Sequence, residues 1–181
     1  IVSVGMFEHV GRNQFETFFQ ACARMLADDG VMLLHPIGRM GRPGTTDAFT
    51  RKYIFPGGYI PAMSELVGAL EKSGWEVGDI EVLRYHYAHT LAEWYRRANL
   101  HRDEIVALYD ERLFRMWQFY LAGAEQSFRH GKMVNWQLIY VKDRTAIPMT
   151  REFIETESAR LRAGDVAPEW HLSPAERVAA E

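Results

Sequence analysis

Two side chains stand where strands end and ligands gather. Glu8 follows the short apolar run Ile1-Val2-Ser3-Val4-Gly5, and His35 closes the run Val31-Met32-Leu33-Leu34. In open α/β sheets the carboxyl ends of strands form the ligand edge, so a carboxylate and an imidazole placed there could share a ligand and move a proton. The plainer alternatives stay open: Glu8 as part of a turn, and His35 as a structural hydrogen-bonding group. His86 and His89 lie three apart, close enough on a helix to share a metal, but no third ligand is spaced to complete a site, so no metal is expected. No Ser-His-Asp grouping, HExxH motif or phosphate loop is present. The single cysteine, Cys22, sits among Phe18, Phe19, Met25 and Leu26 and reads as a small buried hydrophobe rather than a nucleophile.

These residues need a scaffold, and the apolar pattern supplies one. The opening run lacks alternation and reads as a buried parallel strand covered on both faces. Asn13 followed by Glu16 resembles a capping box, and Phe15, Phe18, Phe19, Cys22, Met25 and Leu26 recur at helical spacing before Gly30. With the Val31 run this makes a βαβ unit. From Pro36 to Gly58 the chain turns rich in Gly, Pro, Thr and Arg, which predicts a long loop over the sheet edge. Arg39, Arg42, Arg51 and Lys52 face only Asp47 within it, so the loop is either a solvated segment or a surface for anionic lipid headgroups. Pro61 precedes a helix with Met63, Leu66, Val67 and Leu70 on its apolar face, and a strand is predicted over 75–85.

Between Tyr87 and Gly131 two or three helices follow, lined by Leu91, Trp94, Tyr95, Ala98, Leu113, Trp117, Tyr120, Leu121, Ala124 and Phe128. Such stripes are core packing under a helical cap, or in part the wall of a groove for an acyl chain. Met133 to Lys142 is the last strand, with Trp136, Leu138 and Tyr140 on one face and Asn135 and Gln137 on the other; an antiparallel pairing with the 75–85 strand is expected. The fold class is therefore α/β, with residues 1–143 in one domain, a helical insertion over about 87–131, and a charged tail over 144–181 that is partly helical or loosely docked.

A chain of 181 residues can bury a sizeable core, and a net charge of −3 with no basic-aromatic groove argues against nucleic acid. No apolar run reaches the ~18 residues of a membrane span, and no signal peptide is expected. A cytoplasmic location is expected, with peripheral contact at the inner face of the membrane allowed. The chain begins in mid-strand and holds no glycine-rich nucleotide loop, so it is expected to be the carboxyl-terminal part of something longer.

Several stretches in order carry a more specific signal: Gly5-Met6-Phe7-Glu8-His9-Val10-Gly11, Leu34-His35-Pro36-Ile37-Gly38, Lys52-Tyr53-Ile54-Phe55-Pro56-Gly57-Gly58 and Tyr87-Ala88-His89-Thr90-Leu91. From Ile1 to about Val141 the sequence resembles the cyclopropane-fatty-acyl-phospholipid synthases, which include the mycolic acid cyclopropane synthases. The resemblance implies a class I, Rossmann-like S-adenosylmethionine methyltransferase fold of which this chain holds the carboxyl-terminal part. It further implies methylene transfer from S-adenosylmethionine to the cis double bond of an unsaturated phospholipid acyl chain, with bound bicarbonate accepting the proton. By matching positions, the bicarbonate ligands would be the Glu8 carboxylate, the His35 imidazole, the Ile37 backbone N–H and the Tyr87 hydroxyl. The family's glycine-rich cofactor loop, and its cysteine near the bicarbonate, lie upstream of the matched region, so the cofactor-binding residues are unknown here and the chain alone is expected to be inactive. A homodimer is compatible with the family. Other acceptors remain: fatty-acyl methylation without ring closure, small-molecule methylation, or a non-catalytic lipid-binding remnant.

Overall fold

The computed structural model describes residues 1–164, in two compact units that divide after Ala146. The first is built on a mixed sheet. Strand β1 (Val2–Val4) pairs parallel with β2 (Val31–His35), and β2 pairs antiparallel with β5 (Met133–Val141). On its other edge β5 takes β4 (Glu76–Leu83), also antiparallel, as the alternation in both segments suggests.

The predicted loop after Pro36 is the first departure. A further strand, β3 (Ile37–Arg39), pairs with β5, and it keeps the register of β2: Leu34 faces Leu138 and Ile37 faces Asn135. Pro36 interrupts the strand without ending it, since its carbonyl still accepts from Trp136 N–H at 3.1 Å. Proline lacks only the donor, and the acceptor side of the ladder survives. Close approach is what the next residue must allow. A Cβ on Gly38 would lie 2.0 Å from the Trp136 ring, so glycine is the residue that lets this fully buried indole cross the strand.

Helices α1 (Phe15–Met25) and α2 (Met63–Glu71) cover the face of the sheet that carries Met32, Leu34, Trp136, Leu138 and Tyr140. Cys22 is buried in that core, and burial pushes its thiol up. Two expectations change here. Asn13 does not cap α1: a 3-10 turn over Arg12–Gln14 precedes the helix, and Glu16 pairs instead with Lys72. Nor is β1 covered on both faces, because Val2 and Val4 are 71% and 62% exposed and only Ser3 turns into the core.

The opposite face of β5 is covered by the insertion between β4 and β5. It consists of α3 (His86–Leu100), α4 (Arg102–Leu108) and α5 (Glu111–Arg129). Ala88, Leu91, Leu121 and Phe128 form its own small core, against which Ile37, Tyr87, Trp117, Tyr120 and Met133 pack. The second unit contains α6 (Glu152–Gly164), which carries no buried residue. Of the tail expected over 144–181, residues 165–181 lie outside the described residues. No helix among the described residues is long and apolar enough to cross a membrane.

Gly38→Ala should therefore destabilise the fold by about 3 kcal/mol, the upper range for overpacking against a side chain that cannot move. Urea unfolding should show a lower midpoint at unchanged slope; an unchanged midpoint would mean that Trp136 yields.

Candidate functional site

The site begins with the way β1 ends. Gly5 adopts φ +64°, a left-handed conformation that costs glycine little, and its N–H donates to the His35 carbonyl at 3.0 Å. The chain thus leaves the sheet and enters a 3-10 turn over Phe7–His9. Phe7, with no exposed surface, stacks on Phe15 at 4.4 Å and packs against Phe18 and Phe19. Burying that ring contributes about 2–3 kcal/mol, which pins the turn and with it the next residue, Glu8.

Glu8 is 8% exposed. Its Oε1 accepts the Ile37 N–H at 2.6 Å. Because β1 stops at Val4 while β2 and β3 run on, Ile37 carries a donor on the edge that β1 no longer reaches, and the carboxylate replaces the missing strand. Its other oxygen, Oε2, is buried and has no hydrogen-bond partner. A buried carboxylate oxygen without a donor is costly, so it marks the point where a donor, free or ligand-borne, would be favoured.

Tyr87, in the first turn of α3, is half-buried and packs edge-on against Trp94 and Phe128. Burial, and secondly the charge of Glu8, push its phenol up, so the hydroxyl remains an O–H donor well above neutrality. Tyr120 on α5 responds to Tyr87 in turn: burial first, then Tyr87, raise it to about 12. Its ring meets Phe55 and Trp117, and Phe55 meets His9.

His35 shares its strand face with Ile37. Two amides flank it: Asn135 Nδ2 lies 3.4 Å from Nε2 and Gln137 Nε2 lies 3.3 Å from Nδ1. A neutral imidazole offers one acceptor and one donor, so two amide nitrogens cannot both be satisfied. Asn135 Oδ1 is buried without a partner. Turning one of the two amides over gives the ring one donor and one acceptor to meet; if Asn135 turns, Oδ1 accepts from an Nε2–H and Nδ1 accepts from Gln137.

Glu8, Ile37 and Tyr87 thus share one environment, and His35 faces the same side of the sheet, held by residues of β5. Ile37 N–H engages Glu8. Asn135, Gln137, Tyr120 and Phe55 belong to this surrounding and were not among the residues expected from sequence; two amides on one face of an otherwise apolar strand were the available signal. His86 and His89 are exposed, and no group of three His, Cys, Asp or Glu among the described residues could hold a metal.

Comparison with known proteins places the chain in a family. The family model described as mycolic acid cyclopropane synthetase matches residues 1–138. A probable fatty acid methyltransferase of Pseudomonas putida is 35% identical over 161 residues, which cover 84% of this chain and 41% of that protein. The cyclopropane-fatty-acyl-phospholipid synthase of Escherichia coli K12 is 36% identical over 140 residues, 77% of this chain and 36% of that protein. Among solved structures, mycolic acid cyclopropane synthase CmaA1 complexed with SAH and CTAB superposes with a TM-score of 0.72 at 30% identity, over 77% of this chain and 54% of that one. The chain spans less than half the length of these two curated relatives. Its mixed sheet with a helical insertion is that of a class I methyltransferase.

Replacing Glu8 by Gln should move the Tyr87 titration part of the way back toward the ordinary tyrosine value, since burial, the larger cause, remains. Ultraviolet difference titration, with Tyr87→Phe to assign the signal, reads this shift. A titration that does not move would show that the Glu8 charge does not face the phenol.

Proposed function

Because the chain belongs to the mycolic acid cyclopropane synthetase family, we propose that it forms the acceptor side of an S-adenosylmethionine-dependent enzyme that converts the cis double bond of an unsaturated phospholipid acyl chain into a cyclopropane ring. The observation that carries the reading is the buried, unpartnered Oε2 of Glu8, whose charge reaches the protonated Tyr87 phenol. Ring closure requires the transferred methyl to lose a proton. That proton needs an acceptor in a site whose walls include aromatic rings, which stabilise positive charge without capturing it.

Bicarbonate fits the groups present, and when bound it would supply the base. Glu8 Oε2 would accept its O–H, because two anions side by side repel unless a proton lies between them. Tyr87 would donate to a second oxygen, and His35 would donate through Nε2 if Asn135 gives up its place. Ile37 enters by holding Oε1, which leaves Oε2 for the anion. S-adenosylmethionine, when bound, supplies the methyl group. None of the described residues forms a glycine-rich cradle for it, so the chain's part lies in holding the acceptor and taking the proton, and the 181-residue chain alone should not turn over lipid.

One relative favours a second reading: the Pseudomonas putida protein is a probable fatty acid methyltransferase. In that reading the fold and the acyl acceptor are kept and the ring is not closed. A soluble enzyme working from the cytoplasmic side, in contact with the membrane, suits either acceptor.

Glu8→Gln, in a protein that joins this chain to the amino-terminal part its relatives carry, tests the role of the carboxylate. Turnover should fall by about 2–4 kcal/mol of barrier, the usual cost of losing a hydrogen-bonding group aimed at developing charge. Liposome affinity should not change. Equal losses in turnover and in affinity would show that Glu8 serves only to terminate β1.

A further inference from the structure

The turn at Thr50–Ile54 and the first half of α5 build a second surface, one that the acceptor site does not use. The Phe49 ring lies 5.5 Å from Tyr53 and meets Phe119 edge-on at 4.9 Å. Phe119 is 65% exposed and Tyr53 41%. A phenylalanine ring left so open forgoes most of the gain of burial, and several together form a patch that favours an apolar phase.

Cations stand around these rings. Lys52 Nζ lies 5.0 Å from the Tyr53 ring centre. Lys52 first, and Arg112 from across the gap on α5, hold the Tyr53 phenol below its usual value. Arg112 and Arg115 line the groove between turn and helix together with Glu111, Phe49, Met116 and Phe119. The nearby acids are already engaged: Asp47 Oδ1 accepts the Thr50 N–H at 2.9 Å, and Glu111 accepts from Arg102 at 2.5 Å.

We propose that this surface docks the protein on a bilayer containing anionic phospholipid, with Phe119 and Tyr53 entering the headgroup boundary and Lys52, Arg112 and Arg115 meeting phosphates. Exposed rings ringed by Lys and Arg are what that boundary favours, because the rings settle at headgroup level while the cations reach the charged groups. An acidic protein would satisfy the cations and leave the open Phe119 ring without a reason. Position argues the same way. Phe55, next but one to Tyr53, meets Tyr120 at 5.7 Å, and Tyr120, adjacent to Phe119, interacts with Tyr87. The surface therefore adjoins the Glu8 site through a row of rings, which rests on the reading that an acyl chain is the acceptor.

Vesicle sedimentation of the 181-residue chain tests this without cofactor or turnover. Phosphatidylcholine vesicles containing phosphatidylglycerol should bind it at low salt, and pure phosphatidylcholine should bind it weakly. Arg112→Ser combined with Arg115→Ser should lower partitioning about 30-fold. Phe119→Ala should lower it about tenfold, while Arg24→Ser, exposed on α1, should have no effect. High salt should erase the arginine contribution and spare that of Phe119. Circular dichroism should match for all variants, since each position is at the surface. Unchanged partitioning in the arginine and phenylalanine variants, or equal binding to neutral vesicles, would overturn the proposal. Binding to immobilised polyglutamate with no affinity for vesicles would assign the surface to an acidic protein and overturn it as well. If docking fails while Glu8→Gln still suppresses turnover, the surface is wrong and the chemistry stands.

Discussion

The hydrogen bond from Ile37 N–H to Glu8 Oε1 joins the fold to its chemistry. It exists because β1 is shorter than the strand beside it. Where β1 stops, a backbone donor on the longer strand would be left buried without a partner, and an unpaired buried N–H costs about 1–3 kcal/mol. A carboxylate satisfies it with one oxygen and keeps the other for something else. Glu8 is thus a structural group and a candidate reactive group at once, and the two readings that the sequence leaves open are compatible.

The rest of the site follows from the two faces of β5. One face, Val134, Trp136, Leu138 and Tyr140, belongs to the core under α1 and α2. The other presents Asn135 and Gln137 to His35, beneath the helical insertion that delivers Tyr87. Period-two alternation therefore separates packing from chemistry on a single strand. Gly38 lets the packing face close, and Pro36 keeps the register that sets Ile37 opposite Asn135. The insertion adds a wall of aromatic rings rather than polar groups, which suits an apolar acceptor.

Much of this was legible from residue order. Glu8 and His35 were visible as polar groups at the ends of apolar runs, and the antiparallel partner of β5 followed from its alternation. What escaped was set by tertiary context. Pro36 ends most strands, but here its carbonyl still accepts from Trp136 N–H, so only the donor half of one step toward β5 is lost and the strand runs on as β3. Asn13 and Glu16 have capping-box spacing, yet Lys72, distant in sequence, takes the glutamate. Val2 and Val4 look like buried residues, but no helix among the described residues covers them. Asn135 and Gln137 were placed on the correct face, and only the fold shows that His35 lies between them.

The central claim is that the transferred methyl loses a proton at the Glu8 site, and its fate can be followed directly. The protein joined to the amino-terminal part of its relatives would be given S-adenosylmethionine with a fully deuterated methyl group and a monounsaturated phospholipid, and the acyl product examined by mass spectrometry and deuterium NMR. The account predicts a cyclopropane whose new ring carbon carries two of the three deuterons. A methyl branch that retains all three would contradict it, because no proton would then have been surrendered to a base beside Glu8.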